Sequence, residues 1–287
     1  MFPKSILVSI LVLALVSMAC GVTVNVPKEE VITGPTQTMA INVPVQDNDP
    51  VNLALNFGAG ELSLNPGAQN ALVDGTATYN VDDFKPVVTV AAGNVQISTG
   101  DLEVQGFPRV QVKDFKNTWA LLLGSQPMNL EINAGAYQGD YELGGLSLAN
   151  LEVNDGAADV KLAFSQPNLI AMEKLVYTTG ASQVALNSLA NANFTELIFR
   201  SGAGSYTLDF GGQLQRDANV LVESGLSQLT IIIPPGVNAI VSFEGGLSHV
   251  DVQGDWKQTG DNYRMTGSGP TLTIRVSMGA GSLELKN

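Results

Sequence analysis

Histidine and cysteine each occur once in 287 residues, as His249 and Cys20. A Ser/His/Asp or Cys/His nucleophile could draw only on His249, and no Cys/His spacing suits zinc. A single cysteine also excludes an intramolecular disulfide. Charge is scarce as well: 14% of the residues are charged, against about 25% in an ordinary domain. Basic residues are the rarer sign, 14 Lys+Arg against 27 Asp+Glu, for a formal net charge of −13. Removing Met1–Ala19 would take away only Lys4 and leave −14. Nucleic acid is excluded as a partner, because phosphate contacts dominate that affinity and there is no basic cluster to make them. The same charge argues against lying flat on anionic lipid. The five arginines (109, 200, 216, 264 and 275) are scattered and form no clamp for an acidic substrate. Asp140, Glu142, Asp155, Asp159, Asp251, Asp255 and Asp261 match neither an EF-hand loop nor a calcium-binding β-roll. They recur at no common repeat position and are expected as solvated turn carboxylates. No metal, cofactor or catalytic residue is expected, and no apolar run reaches the ~20 residues of a membrane-spanning helix.

What the chain has in quantity is glycine, 30 residues of it, and the glycines organise the rest. Apolar residues stand five and three positions before a glycine and four and six after it. Leu151 and Val153 precede Gly156, with Val160 and Leu162 beyond; Leu175 and Tyr177 precede Gly180, with Val184 and Leu186 beyond. The frame recurs at Gly202, Gly225, Gly246 and Gly279, and upstream at Gly58 and Gly93. Gly135 fits on its leading side through Leu130 and Ile132, whereas Tyr141 and Leu143 read as a trailing strand two residues late. Alternate apolar positions predict half-buried strands. An odd offset before the glycine and an even one after means that the inward face switches there, as a bend requires. From Gly156 the intervals are 24, 22, 23, 21 and 33 residues. Near-constant spacing is the mark of a solenoid with coils of about 21–24 residues. Each coil has room for two short strands and two turns but not for a crossover helix. Small neighbours (Ala157, Ala181, Ala203, Ala280) suit close stacking at the corner. His249 falls at the repeat position of Gln183, Ser205 and Gln228, an outward strand position.

The chain divides into four parts. Residues 1–19 read as an export signal: Lys4, an apolar run from Ile6 to Val16, then small residues. Cys20 follows Ser17-Met18-Ala19 directly, so the segment resembles a bacterial lipoprotein signal, which implies that Cys20 becomes the lipidated first residue. Ser17 stands where that family usually has a branched apolar residue, so ordinary cleavage and secretion is the alternative. Residues 20–38, rich in chain breakers, form a tether. Residues 39–115 form an N-terminal β subdomain and residues 116–287 the β-solenoid. The long last interval holds an insertion, Gln253 to Gly269, with Trp256 and Tyr263. It predicts either a binding loop presenting the two aromatics or a hairpin covering the end of the stack.

Several stretches resemble one family. Gly58-Ala59-Gly60-Glu61-Leu62-Ser63-Leu64, Leu72-Val73-Asp74-Gly75 with Pro86, Trp119, Leu130 to Ala136 and Leu143 to Leu146 are similar to the N-terminal domain of the toast-rack proteins of the bacterial envelope (DUF2154). Ile231 to Val237, Tyr263 and Val276 to Leu283 resemble the outer domains of Lia-type envelope-stress regulators and of DUF4097-like proposed adhesins. The resemblance covers about residues 40–287 and implies an all-β, right-handed, single-stranded β-helix-like solenoid. The function expected is non-enzymatic: a lipid-anchored, extracytoplasmic surface for adhesion to an envelope protein or glycan, attached to the membrane through Cys20. Two other readings stand beside it, a partner-sensing component of an envelope-stress response and a polysaccharide-active β-helix enzyme.

Overall fold

The computed structural model describes residues 33–99 and 115–287. Cys20 and the proposed signal and tether up to Ile32 lie outside the described residues. The strands are β1 (Gln37–Pro44), β2 (Val51–Pro66), β3 (Ala71–Tyr79), β4 (Pro86–Ala91), β5 (Asn94–Thr99), β6 (Asn117–Leu123), β7 (Met128–Glu142), β8 (Leu148–Ala163), β9 (Met172–Asn187), β10 (Phe194–Asp209), β11 (Ala218–Ile232), β12 (Asn238–Val252), β13 (Lys257–Thr259), β14 (Asn262–Met265) and β15 (Thr271–Lys286). All fifteen belong to one sheet, and the only helical segments among the described residues are two short 3-10 turns. The protein is the all-β solenoid that the glycine frame anticipates.

Each coil contributes one long strand rather than two short ones. Eight strands of 15 or 16 residues stack in parallel in the order β2-β7-β8-β9-β10-β11-β15-β12. Each bends at its glycine, where the buried parity switches. In β8, Leu151 and Val153 are buried before Gly156 and Val160 and Leu162 after it. The glycines form a column, Gly58, Gly135, Gly156, Gly180, Gly202, Gly225, Gly279 and Gly246, and a Cβ on any of the last seven would run into the backbone carbonyl of its neighbour. On Gly202 it would stand 2.6 Å from the Gly180 oxygen. Only glycine lets the backbones approach this closely at a corner.

Two frame positions differ from the sequence expectation. Gly93 is not in the column; with Ala92 it makes the tight turn between β4 and β5, both residues at positive φ (80° and 46°) as such hairpins require. The trailing half of β7 is not displaced. Gly139 stands opposite Val160 and Leu62, and Tyr141 opposite Leu162 and Leu64. Gly139 therefore occupies the regular inward position, and the rings of Tyr137 and Tyr141 fill the space its side chain would take, 2.9 and 3.0 Å from an imagined Cβ.

The N-terminal region caps the stack by splitting into two arms on the free edge of β2. Its first half pairs with β5, which carries β4; its second half pairs with β6, which carries β3 and then β1. Trp119 on β6 is fully buried there, edge-on to Phe57 at 5.1 Å. Between coils the connectors run five, six or eight residues, and the longer ones are held by buried asparagines. Asn168 bridges both backbone groups of Leu148, and Asn191 ties the Phe164 carbonyl to the Gln213 amide. These amides satisfy buried backbone groups that a turn would otherwise leave open. At the far end the 33-residue interval is explained by a reversal of order: β12 runs first, the β13–β14 hairpin returns along its edge, and β15 then enters between β11 and β12.

Candidate functional site

Along the first half of each long strand the outward positions are two, four and six residues before the glycine. In three coils these read Asn52-x-Ala54-x-Asn56, Asn129-x-Glu131-x-Asn133 and Asn150-x-Glu152-x-Asn154. Stacking turns the repeats into ladders. Asn150 donates to Asn129 (2.9 Å), Asn129 to Asn52 (2.8 Å) and Asn52 to Asn94 on β5 (2.9 Å). A second ladder runs from Asn154 to Asn133 (3.1 Å), Asn133 to Asn56 (3.0 Å) and Asn56 to Ser98 (3.2 Å). Asparagine suits this role because one amide supplies both donor and acceptor, so a column of identical residues satisfies itself.

Glu131 and Glu152 stand in register between the ladders. Each accepts from the asparagine two residues on, Asn133 at 2.7 Å and Asn154 at 3.0 Å. Carboxylates thus do recur at one coil position, contrary to the sequence reading. Further along the stack both columns change to ion pairs, Lys174–Glu196 at 2.9 Å and Arg200–Glu223 at 2.8 Å. Asn52, Asn94, Asn129, Asn150, Glu131 and Glu152 line a groove that ends at Lys174 and Val176. The asparagine repeats are visible in the sequence as Asn-x-x-x-Asn, six and two residues before the glycine; a search that follows only inward positions passes over them.

Asp155 is not a solvated turn residue. It sits just before the glycine bend on the inner side of the corner, where Tyr177 Oη donates to its Oδ2 at 2.7 Å and Thr179 Oγ1 donates to its Oδ1. Tyr137 and Ser182 approach at 3.5 and 3.4 Å. The phenols of Tyr137, Tyr141 and Tyr177 are all pushed above the ordinary value, chiefly by burial and then by the negative charge of neighbouring phenolates or of Asp155. The seam continues as hydroxyl pairs, Ser201 with Ser224 at 2.8 Å and Ser224 with Ser227 at 2.6 Å. Glu142 is also engaged, accepting from the amides of Gly144 (2.7 Å) and Ser165 (3.0 Å). Asp140, Asp159, Asp251, Asp255 and Asp261 are exposed. Among the described residues no three His, Cys, Asp or Glu side chains gather as a metal site would need.

His249 lies exposed on β12, opposite Ser282, in the column of Gln228, Ser205 and Gln183. The insertion is a hairpin whose second strand pairs with Ala239–Ser242 of β12. Tyr263 is buried there, its hydroxyl accepting from Gln258 at 3.2 Å, and Trp256 packs partly buried against the core.

No curated protein matches the chain. Among solved structures, a "putative cell adhesion protein" from Clostridium sporogenes ATCC 15579 is 18% identical, with a TM-score of 0.54 over 88% of this chain and 99% of that one. A "putative adhesin" from Bacteroides fragilis NCTC 9343 (11% identical, TM-score 0.34, 88% and 97% covered) and a "putative lipid binding protein" from Parabacteroides distasonis ATCC 8503 (12%, 0.36, 88% and 97%) are more distant. At such identities the first shows a shared fold and nothing finer. The sequence match is more specific: residues 32–174 fit the N-terminal domain of toast_rack, DUF2154, and through that domain the chain belongs to the toast-rack family.

Proposed function

We propose that the protein is a non-enzymatic, lipid-anchored envelope protein that presents the amide-lined face of its solenoid to glycan. The observation that carries this reading is the pair of in-register asparagine ladders with Glu131 and Glu152 between them. Each ladder amide spends one N–H on its neighbour and keeps further donor and acceptor capacity toward solvent. A rigid array of this kind, repeating at the strand spacing of about 4.8 Å, is complementary to a polymer of hydroxyl and acetamido groups. Amides and carboxylates that already hold one another lose little side-chain entropy on binding. The adhesive reading accords with the description given to the Clostridium sporogenes protein of the same fold. Anchoring rests on the position of Cys20 behind an export-like segment.

The test uses the full chain expressed in a bacterial host with and without Asn129→Ala/Asn150→Ala. Retention of the purified protein on immobilised cell-wall glycan should fall at least tenfold in the variant, with the thermal midpoint moved by only a few degrees. Mass spectrometry of the mature N-terminus should find a diacylglyceryl group on Cys20. Equal retention of both proteins would refute the glycan face; an unmodified Cys20 on protein in the medium would refute the anchor.

A further inference from the structure

The two ends of the stack are closed to different degrees. At the β2 end both halves of the strand carry partners, β5 on one and β6 on the other. At the β12 end only Ala239–Ser242 is paired, with β14, and Phe243 adds one backbone bond to Asp261. From Glu244 to Val252, among the described residues, the outer edge of β12 meets no strand. The positions that build the core elsewhere come to the surface here. Leu229 and Ile231 of β11 and Leu283 and Leu285 of β15 are 0% exposed, whereas Val250 is half-buried and Val252 is 36% exposed. Leu247, just past the bend, is 87% exposed, and its counterpart Leu226 within the stack is 64% exposed. The Ser248 hydroxyl is buried without a hydrogen-bond partner.

Open edges in native sheets are normally guarded by lysine, proline or a covering segment. Residues 244–252 contain neither lysine nor proline, and the hairpin covers only the other half. We infer that the Glu244–Val252 edge of β12 is a docking site for an extended strand of a partner protein, added to the sheet as its next member. Backbone pairing would supply affinity and the alternating side chains specificity.

Charge selects the kind of strand. Asp251 stands in register with Glu284, two like charges on adjacent strands, and this is unfavourable. Glu284 has Lys286 at 2.8 Å, while Asp251 receives only Gln253 at 3.4 Å. A lysine or arginine opposite Asp251 on the incoming strand would complete the pair. The partner segment therefore carries apolar residues facing Val250 and Val252 and a basic residue on the outer face. A second copy of this chain fits less well. Two-fold antiparallel pairing centred on His249 sets Leu247 against Asp251, and pairing centred on Val250 sets His249 there, so neither brings a lysine or arginine to it.

The test is fluorescence anisotropy of a labelled ten-residue peptide alternating valine and lysine, titrated with the full-length protein. Binding should weaken at least tenfold when alternate peptide nitrogens are methylated, which blocks ladder hydrogen bonds without touching the protein. The Val250→Lys and Asp251→Lys variants should each weaken it similarly at an unchanged thermal midpoint, and a valine–glutamate peptide should bind at least tenfold less tightly. Equal binding of the methylated peptide, or no binding by the parent peptide, would sink the proposal. So would concentration-dependent dimerisation abolished by Val250→Lys, which would assign the edge to a second copy.

Discussion

Asp155 shows how much one residue can carry at the corner of a coil. A carboxylate inside a bend would be costly without donors, and here Tyr137 from one flanking coil and Tyr177, Thr179 and Ser182 from the other supply them. The arrangement keeps the phenols protonated. Tyr177 is raised by burial, then by the neighbouring Tyr137 and by Asp155; Tyr137 by burial and Asp155; Tyr141 by burial and Tyr137. Tyr206 and Tyr263 shift the same way, again chiefly through burial. The sign of the linkage follows. In the unfolded chain phenols ionise near pH ~10, whereas the folded values lie higher, so the stability they contribute is complete below that pH and is lost as pH rises beyond it. Urea midpoints should stay level from neutrality to about pH 10 and then fall. Ultraviolet titration of the folded protein should show the Tyr137, Tyr141 and Tyr177 phenolates appearing only with unfolding. Phenolate absorbance from all three before any loss of structure would show that the corner is open to water. None of this was legible in the sequence, where Asp155 beside Gly156 reads as an ordinary turn residue. Its donors lie 18 to 27 residues away and meet it only once the coils stack.

At the scale of the element, the long bent strand is the unit, and its glycine sets the geometry. Bending was readable because burial parity is a property of the chain itself: apolar residues at odd offsets before the glycine and even offsets after it can share one interior only if the strand turns. What could not be read was that glycine also serves as filler. Gly139 reads as a break in the pattern but is an inward position given up to two tyrosine rings. Gly202→Ala distinguishes corner from filler. Its Cβ meets the Gly180 carbonyl, part of a backbone fixed on both sides by strand pairing, so relief requires two coils to separate. The substitution should cost about 1–3 kcal/mol, the range for overpacking, read as a lower urea midpoint at unchanged slope. Ala203→Ser, one residue on at an exposed position, should change stability by less than about 0.5 kcal/mol. Similar losses in the two variants would mean that the column tolerates a side chain and that the close approach is not what selects glycine.

Across the whole molecule, coils touch mainly their immediate neighbours, so stability is close to a sum of nearest-neighbour terms. Coil length was legible from the glycine intervals, whereas coil number was over-read by one, because Gly93 fits the frame but lies in a hairpin turn. The spatial order at the C-terminal end was not legible, because the frame marks positions within a coil and carries no information about which coil lies next to which; the entry of β15 between β11 and β12 is settled by packing. That order has a consequence for local opening. Strands β8, β9 and β10 have a full-length neighbour on each side, whereas the later half of β12 has one, β15, and β4 has only β5. In amide hydrogen exchange at neutral pH, Leu175–Tyr177 and Leu197–Phe199 should be the slowest segments, near the global unfolding free energy. Leu247–Val252 should exchange first among the strands of the stack, with Ala239–Ser242, sheltered by β14, clearly slower. The contrast between the two halves of β12 is the decisive comparison, since both belong to one strand and share β15 as a neighbour. Equal rates would mean that the end coil opens as a block and that the hairpin protects no particular half. Slower exchange at the open half in the presence of the valine–lysine peptide alone would tie that protection to strand addition.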